Sequence, residues 1–185
     1  MEVTKTKIDG LLLIHPDVYH DDRGCFLEQF HKTRYAGAGI VADFVQDNCS
    51  YSRHRTIRGL HYQVGDQPQG KLVMALLGRV LDVAVDIRFG SPTFGKHVAT
   101  ELTSENHLQL WVPPGFAHGF SVLSEDAAVY YKCTSPYSGQ LERSIRFDDP
   151  DLNIDWRVTD PILSKKDAGA PPFGRISREF VYSRG

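Results

Sequence analysis

Residues 71–90 read KLVMALLGRVLDVAVDIRFG, and they contain the clearest secondary-structure signal in the sequence. Two apolar runs are separated by Gly78, and in the second run every other residue from Leu81 to Ile87 is a branched apolar one. A period of two is the repeat of a β-strand, because successive side chains point to opposite faces of a sheet. The stretch therefore predicts two β-strands separated at Gly78.

Turn signals recur about every 8–12 residues in the rest of the chain, with short segments rich in Val, Leu, Ile, Phe and Tyr between them. This spacing is typical of an all-β sandwich or barrel. Together with residues 113–120, PPGFAHGF, it predicts a double-stranded β-helix, a jelly-roll barrel of the cupin type. Predicted helix is limited to short turns at residues 31–37 and 103–106.

Length and composition indicate an ordinary globular protein. The chain has 185 residues, 41% hydrophobic and 24% charged, with a net charge of −2. This length predicts one domain, residues 1–185, with a core at about 10–172 and a C-terminal tail at 173–185. Because the sequence has no dense run of Lys or Arg, we expect neither a nucleic-acid nor a membrane partner.

Two features favour a cytoplasmic location, the pattern of cysteines and the short apolar run near the N-terminus. The cysteines, Cys25, Cys49 and Cys133, are odd in number, far apart and without a C-x-x-C pair. This pattern favours a reducing compartment over a disulfide framework. The apolar run before Pro16 is too short for a signal peptide or a membrane span.

Residues 57–73, IRGLHYQVGDQPQGKLV, contain ionisable side chains where two strands and a turn are expected. Metal-binding cupins take ligands from an H-x-H pair, a later Glu and a His after a P-x-G-x-x-H turn. This chain has His61, Gln63, Lys71 and His118 at those positions. A lysine ammonium repels a divalent cation, and glutamine is a weak ligand. We therefore expect no metal and no other cofactor, with a metal-dependent cupin enzyme as the more remote alternative.

The same side chains suit proton abstraction from a carbon beside a carbonyl group. Histidine titrates near neutral pH, so His61 is a candidate base. Lys71 is a candidate cation to stabilise the enolate oxygen that forms when the proton leaves. Tyr131, on the same predicted strand face as Val129 and Cys133, is a candidate acid that returns a proton.

Strand geometry leaves the relative orientation of two of these residues open. Arg58 and His61 are three residues apart and would point to opposite faces of a regular strand. Gly59 between them is a candidate β-bulge that would redirect one side chain. Structural alternatives also remain: His61 as a hydrogen-bonded strand-end residue, Lys71 as an edge charge and Tyr131 as barrel packing.

A series of motifs then identifies a family. In chain order they are FVQDN, RGLHYQ, PQGKLV, DVAVDIR, SPTFG, QLWVPPGFAHGF and PILSKKDA. From about residue 10 to residue 172 the chain resembles the dTDP-4-dehydrorhamnose 3,5-epimerase family. The resemblance implies a metal-free jelly roll that inverts C3 and C5 beside the 4-keto group of a dTDP-4-keto-6-deoxyhexose, in dTDP-rhamnose-type deoxysugar biosynthesis.

The family pattern also implies catalytic roles. His61 matches the base and Tyr131 the acid, while Lys71 matches the cation that holds the 4-keto oxygen. Asp167 matches the carboxylate that orients the imidazole and raises its basicity. Asp82 is implied as a supporting residue beside His61 and Lys71.

Further matches suit a nucleotide diphosphate. Arg58 and Arg23 are implied as pyrophosphate contacts, since a guanidinium group can form paired hydrogen bonds with phosphate. Glu28 would accept from the thymine imide and Tyr137 would stack on the ring. The other implied substrate contacts are Gln46, Asn48, His118, Glu142 and Lys166. In the family, segment 23–28 reaches the neighbouring subunit's site, so the resemblance implies a homodimer. Without the family resemblance, Arg23 would be interpreted as a charged residue in a surface turn and Tyr137 as an exposed aromatic residue in a loop.

Two positions depart from the family pattern. Cys49 replaces a common His after QDN, and we expect it to alter packing near the pyrophosphate. Met74 replaces a common Arg after KLV, and we expect it to change the polarity of the barrel wall. The motifs leave open a 3-only epimerase or a 3,4-ketoisomerase of an antibiotic-type pathway, and a catalytically inactive binder of the sugar nucleotide.

Overall fold

The computed structural model describes residues 1–183, which form thirteen β-strands, two short α-helices and one 3₁₀ turn. The strands are β1 (Glu2–Lys5), β2 (Leu12–His15), β3 (Val18–Asp21), β4 (Gly24–Leu27), β5 (Gln46–Arg53), β6 (Ile57–Gln63), β7 (Lys71–Leu77), β8 (Arg79–Asp86), β9 (His97–Thr103), β10 (Gln109–Val112), β11 (Phe116–Val122), β12 (Asp126–Cys133) and β13 (Glu142–Ser144). The helices are α1 (Lys32–Gly37) and α2 (Lys165–Ala168), and the 3₁₀ turn is Phe173–Arg175.

Two antiparallel sheets form the body of the fold. One has six strands in the order β1-β2-β10-β7-β12-β5, and the other has five in the order β13-β6-β11-β8-β9. Strands β3 and β4 form a separate two-stranded hairpin. The predicted jelly roll is confirmed, and β7 and β8 are the two strands that the pattern around Gly78 predicted.

Hydrophobic side chains fill three layers. The central cluster contains residues of both sheets, including Val73, Ala84 and Val129, and therefore lies between them. A second cluster covers the outer face of the five-stranded sheet with the C-terminal part of the chain. A third lies on the outer face of the six-stranded sheet, where Tyr35 of α1 is fully buried. Because both faces of the five-stranded sheet are covered at β8, every residue of this strand after Arg79 is buried.

The helices only partly match the prediction. Helix α1 lies within the predicted segment 31–37, and the His31 side chain accepts from Arg34 N at its start. Residues 103–106 end β9 and form a turn rather than a helix. Helix α2 was not predicted, although Ser164 before it is a typical N-cap. No helix in residues 1–183 is long and apolar enough to cross a membrane.

The tail packs back on the sheet. Its 3₁₀ turn is followed by an isolated bridge between Val181 and Phe89, and Phe180 contacts the second cluster. Residues 184–185 of the predicted tail lie outside the described residues.

Candidate active site

A cavity of about 280 Å³ opens between the two sheets. Its lining residues come from five strands, the segment before α2 and α2 itself: Ser50, Arg58, His61, Lys71, His118, Phe120, Tyr131, Ser164, Lys166 and Asp167. An adjoining cavity of about 250 Å³ shares His61, Lys71 and Tyr131 with the first. The remaining lining residues of this second cavity are Gln46, Asn48, Gln69, Tyr137 and Glu142. The structure thus brings together most of the predicted site residues.

A β-bulge places Arg58 and His61 on the same cavity. Strand β6 pairs with β11 through His61 and His118 and then through Arg58 and Phe120, so β6 has one extra residue. Gly59 lies in this irregular stretch with φ +116, and an added Cβ would lie 2.7 Å from Gly119 Cα. Only glycine fits such an approach, and the predicted bulge is confirmed.

A chain of hydrogen bonds orients the His61 imidazole. His61 Nε2 lies 2.6 Å from Asp167 Oδ1. Asp167 Oδ2 accepts from Ser164 Oγ at 2.9 Å, and Asp167 N donates back to Ser164 Oγ at 3.1 Å. Ser164 was missed at the sequence level, although S-x-x-D before a short helix is the signal of an N-terminal cap.

The charge of Asp167 determines which imidazole nitrogen can act as a base. Burial would raise the pKa of Asp167, but hydrogen bonds from His61 and Ser164 and the charge of Lys166 outweigh burial and hold it below 3.8. An ionised carboxylate only accepts, so Nε2 carries the proton. The Nδ1 lone pair of neutral His61 is therefore free to take a proton.

Lys71 and Tyr131 lie near each other on adjacent strands of the six-stranded sheet, on one wall of the cavity. Lys71 Nζ lies 5.8 Å from the centroid of the Tyr131 ring, within cation–π range. Withdrawal from water lowers the pKa of Lys71, and the carboxylates of Glu142 and Asp82 oppose this lowering. Burial raises the pKa of Tyr131, so its hydroxyl keeps a proton to donate. His61 belongs to the five-stranded sheet and Tyr131 to the six-stranded one, so base and acid candidates occupy opposite walls.

A second histidine–aspartate pair lies deeper in the cavity. His118 Nε2 lies 2.9 Å from both carboxylate oxygens of Asp82, and both residues are buried. The sequence predicted that Asp82 supports His61 and Lys71. Its carboxylate accepts from His118, which lies two residues before Phe120, the residue that the β8–β11 register pairs with Asp82. The negative charge of Asp82 also opposes the lowering of the Lys71 pKa, so its predicted role beside Lys71 stays a prediction.

Tyr137, Glu142 and Lys166 form a polar cluster at the mouth of the second cavity. Glu142 Oε2 accepts from the Tyr137 hydroxyl at 2.8 Å and from Lys166 Nζ at 2.6 Å. Burial would raise the pKa of Glu142, but these two hydrogen bonds lower it overall. Tyr137 N also donates to Gln46 Oε1 at 2.8 Å.

Arg23 and Glu28 lie outside this chain's cavity. Arg23 is in the turn of the β3–β4 hairpin, where its guanidinium pairs with Asp21. Glu28 follows the hairpin and pairs with Arg34 of α1. Neither side chain lines the two cavities of its own chain, and the predicted contacts with a neighbouring site stay a prediction.

Both departures from the family pattern also lie outside the cavity. Cys49 alternates with Asn48 and Ser50 on β5, and its side chain is exposed while theirs line the two cavities. Met74 belongs to the outer cluster and accepts weakly from Gln109. Strand alternation turns both side chains outward, so neither lines a cavity, and their expected effects on packing near the pyrophosphate and on the polarity of the barrel wall stay predictions.

The metal-ligand positions of cupins hold other groups here. Gln63 is buried and bonded to backbone groups, and Lys71 supplies a cation. Within residues 1–183, no cluster of three or more His, Cys, Asp or Glu residues is arranged to hold a metal ion.

Comparison with known sequences gives a family match over most of the chain. The family model described as dTDP-4-dehydrorhamnose 3,5-epimerase matches residues 5–175. A curated relative, dTDP-4-dehydrorhamnose 3,5-epimerase of Shigella flexneri, is 49% identical over 174 residues, which cover 94% of this chain and 96% of the relative.

Solved structures agree with the sequence match. A crystal structure of dTDP-6-deoxy-D-glucose-3,5-epimerase from Legionella pneumophila in complex with dTDP-4-keto-L-rhamnose superposes with a TM-score of 0.95. It is 49% identical and covers 99% of both chains. A 3'-monoepimerase from Streptomyces bikiniensis in complex with dTDP-quinovose has a TM-score of 0.86 and 32% identity, covering 91% of this chain and 86% of its own.

Proposed function

The chain belongs to the dTDP-4-dehydrorhamnose 3,5-epimerase family, and from this premise we propose that it inverts C3 and C5 of a dTDP-4-keto-6-deoxyhexose. Epimerases are isomerases, so the protein is an enzyme of that class. The observation that carries the proposal is one cavity in which His61, Lys71 and Tyr131 meet. The pathway we assign is dTDP-rhamnose-type deoxysugar biosynthesis in the cytoplasm.

Proton abstraction begins at His61. Its Nδ1 takes the proton from the carbon beside the 4-keto group, and the C–H electron pair forms the C=C bond of an enolate. The carbonyl π electrons move to O4, where the Lys71 ammonium stabilises the negative charge. Asp167 accepts from Nε2–H and stabilises the imidazolium that forms.

Inversion requires a proton from the opposite face. Tyr131 lies on the wall opposite His61, and its raised pKa keeps the hydroxyl protonated. The enolate electrons take this proton on the carbon, and O4 becomes a carbonyl again. Tyr131 is left as a phenolate and His61 as an imidazolium until His61 releases its proton to solvent and Tyr131 takes one from solvent. The same sequence at the second carbon completes the 3,5-epimerisation, and no step needs a cofactor.

The rest of the site suits the nucleotide diphosphate. Arg58 lies at the cavity rim, held by Ser52 Oγ at 2.9 Å, and we assign it to the pyrophosphate. Tyr137 is exposed and available to stack on thymine. We assign the remaining substrate contacts to Gln46, Asn48, His118, Glu142 and Lys166.

We further propose a homodimer in which the β3–β4 hairpin completes the neighbouring site. Arg23 and Glu28 would then supply the second pyrophosphate contact and the thymine contact. Two large aromatic side chains on the hairpin, Tyr19 and Phe26, are exposed in the single chain, as is typical of a surface covered by a partner.

The decisive experiment is deuterium wash-in. Incubation with dTDP-4-keto-6-deoxyglucose in D₂O should replace the hydrogens at both C3 and C5, as read by proton NMR. Wash-in at C3 alone would favour a 3-only epimerase, the second candidate, which the structural similarity to a 3'-monoepimerase supports. A product with the keto group moved to C3 would indicate a 3,4-ketoisomerase. Absence of wash-in with dTDP still bound would overturn the enzymatic proposal.

A further inference from the structure

Gln63 has no part in the chemistry described above, yet its side-chain amide forms three hydrogen bonds. It lies two residues after His61 at the end of β6, is 4% exposed and lines neither cavity. Its Nε2 donates to Gln67 O at 2.6 Å and to Pro136 O at 3.0 Å. Its Oε1 accepts from Ser138 N at 2.8 Å.

These three bonds join two different loops. Gln67 lies in residues 64–70, between β6 and β7, and the other two partners lie in residues 134–141, between β12 and β13. Both donor hydrogens of the amide are used, and its oxygen accepts one bond. A glutamine can therefore hold two carbonyls and one N–H at once, which neither a histidine nor an apolar residue of similar size can do.

The residue between two of the partners is Tyr137. Pro136 O and Ser138 N, on either side of it, are both fixed by the one Gln63 side chain. Gln46 Oε1 accepts from Tyr137 N itself, and Glu142 accepts from its hydroxyl. The backbone that presents the exposed tyrosine ring is therefore held from beneath by Gln63.

We propose that Gln63 is a positioning residue for nucleotide binding, fixing the loop 134–141 so that Tyr137 presents its ring to the base. The inference rests on the proposed function for the identity of the nucleotide. It explains why a buried amide occupies the place of the second histidine in a metal-binding cupin. Gln63 would affect the affinity for the nucleotide. The hydrogen bond from His61 to Asp167 of α2 would instead affect proton transfer.

The test is Gln63→Met, which keeps the side-chain length and removes all three hydrogen bonds. Base–aromatic stacking that depends on a fixed ring is lost, so we expect the Kd for dTDP and the KM for the sugar nucleotide to rise about tenfold. Deuterium wash-in at saturating substrate should stay within about twofold of the wild type, since the base is intact. Gln140→Met, the same change at an exposed glutamine of the same loop, is the matched control and should leave both values unchanged.

A double-mutant cycle with Tyr137→Ala separates positioning from general loosening. If Gln63 acts through Tyr137, Gln63→Met should weaken dTDP binding much less in the Tyr137→Ala background than in the wild type. Equal losses in both backgrounds, or unchanged dTDP affinity in Gln63→Met, would overturn the inference. Should Gln63→Met fail to fold, Gln63→Asn keeps a polar amide but cannot reach all three partners, and the same measurements apply. These outcomes are distinct from failure of the proposed function, which would show as an absence of deuterium wash-in in the wild-type protein.

Discussion

The cavity and the β3–β4 hairpin differ in how exposed their charged side chains are and in how far along the chain their partners lie. At the cavity, the Asp167 side chain is 4% exposed and is held by His61, 106 residues away in the sequence. On the hairpin, Arg23 is 89% exposed and pairs with Asp21, two residues away, while Phe26 is 70% exposed. One chain therefore brings Asp167 and His61 together by itself but leaves the surface around Arg23 exposed.

The largest effect is expected for His61→Ala, which removes the proposed base from the cavity. Loss of a general base lowers rates by about 10²–10⁴-fold, so wash-in at C3 and C5 should fall by that amount. Binding of dTDP, measured by calorimetry, should stay close to the wild-type value. His54→Ala, at an exposed histidine outside the cavity, is the control. Wash-in at the wild-type rate in His61→Ala would refute the assignment of the base.

Tyr131→Phe should separate deprotonation from inversion. His61 can still remove a proton and return deuterium to the same face, so wash-in persists, while net inversion falls by about 10²-fold. Proton NMR of the product ratio measures this. Tyr130→Phe is a matched control, because Tyr130 lies on the outer face of the same strand. An unchanged product ratio in Tyr131→Phe would rule out the acid role.

Arg23→Ala tests whether the β3–β4 hairpin contributes to substrate binding. A lost charged hydrogen bond to pyrophosphate should raise KM about tenfold, with little change in kcat. Arg79→Ala, at an exposed arginine on β8, should have no effect. Specific activity should also fall on dilution, if the hairpin completes the neighbouring site. A wild-type KM together with activity independent of dilution would mean that one chain completes the whole site.

Ser164→Ala is expected to have the smallest effect. The hydroxyl that holds the second oxygen of Asp167 is lost, so the imidazole is less firmly oriented and kcat should fall about five- to tenfold with unchanged dTDP affinity. Ser164→Thr keeps both the hydroxyl and the helix cap and should restore activity. A fall in dTDP affinity in place of kcat would assign Ser164 to substrate binding.

Thermal melts at several pH values give Ser164 a second readout. The folded-state pKa of Asp167 is lowered, so its ionised form stabilises the fold above the ordinary value of 3.8, and this stability is lost as the pH falls toward the folded-state value. Ser164→Ala removes one cause of the lowering. We therefore expect the Tm difference between the two proteins to be largest at neutral pH and to shrink in acid. A difference that is constant with pH would mean that Ser164 only caps the helix.

Local features of the site could be predicted from the sequence. The β-bulge at Gly59 followed from the spacing of Arg58 and His61, and helix α1 from residues 31–37. These features depend on a few neighbouring residues, because strand alternation and helix ends are properties of short segments. The turn at 103–106 was mistaken for a helix, since the same residue types favour both.

Contacts between distant segments could not be predicted from the sequence pattern. The hydrogen bonds from His118 Nε2 to the Asp82 carboxylate depend on the register between β8 and β11, which neither strand's sequence specifies by itself. The outward orientation of Cys49 and Met74 required the sheet order, and the hydrogen bonds of Gln63 required the two loops to be adjacent.

The sequence by itself determined the β-strand repeat, the jelly-roll class and the family, because these are written in local periodicity and in motifs that stand in a fixed order. The tertiary structure alone decided which imidazole nitrogen is free, that Asp82 bonds to His118, and which predicted residues lie away from the cavity of their own chain. The physical reason is that hydrogen bonds and burial join residues up to 106 positions apart, and their geometry exists only once the two sheets have packed.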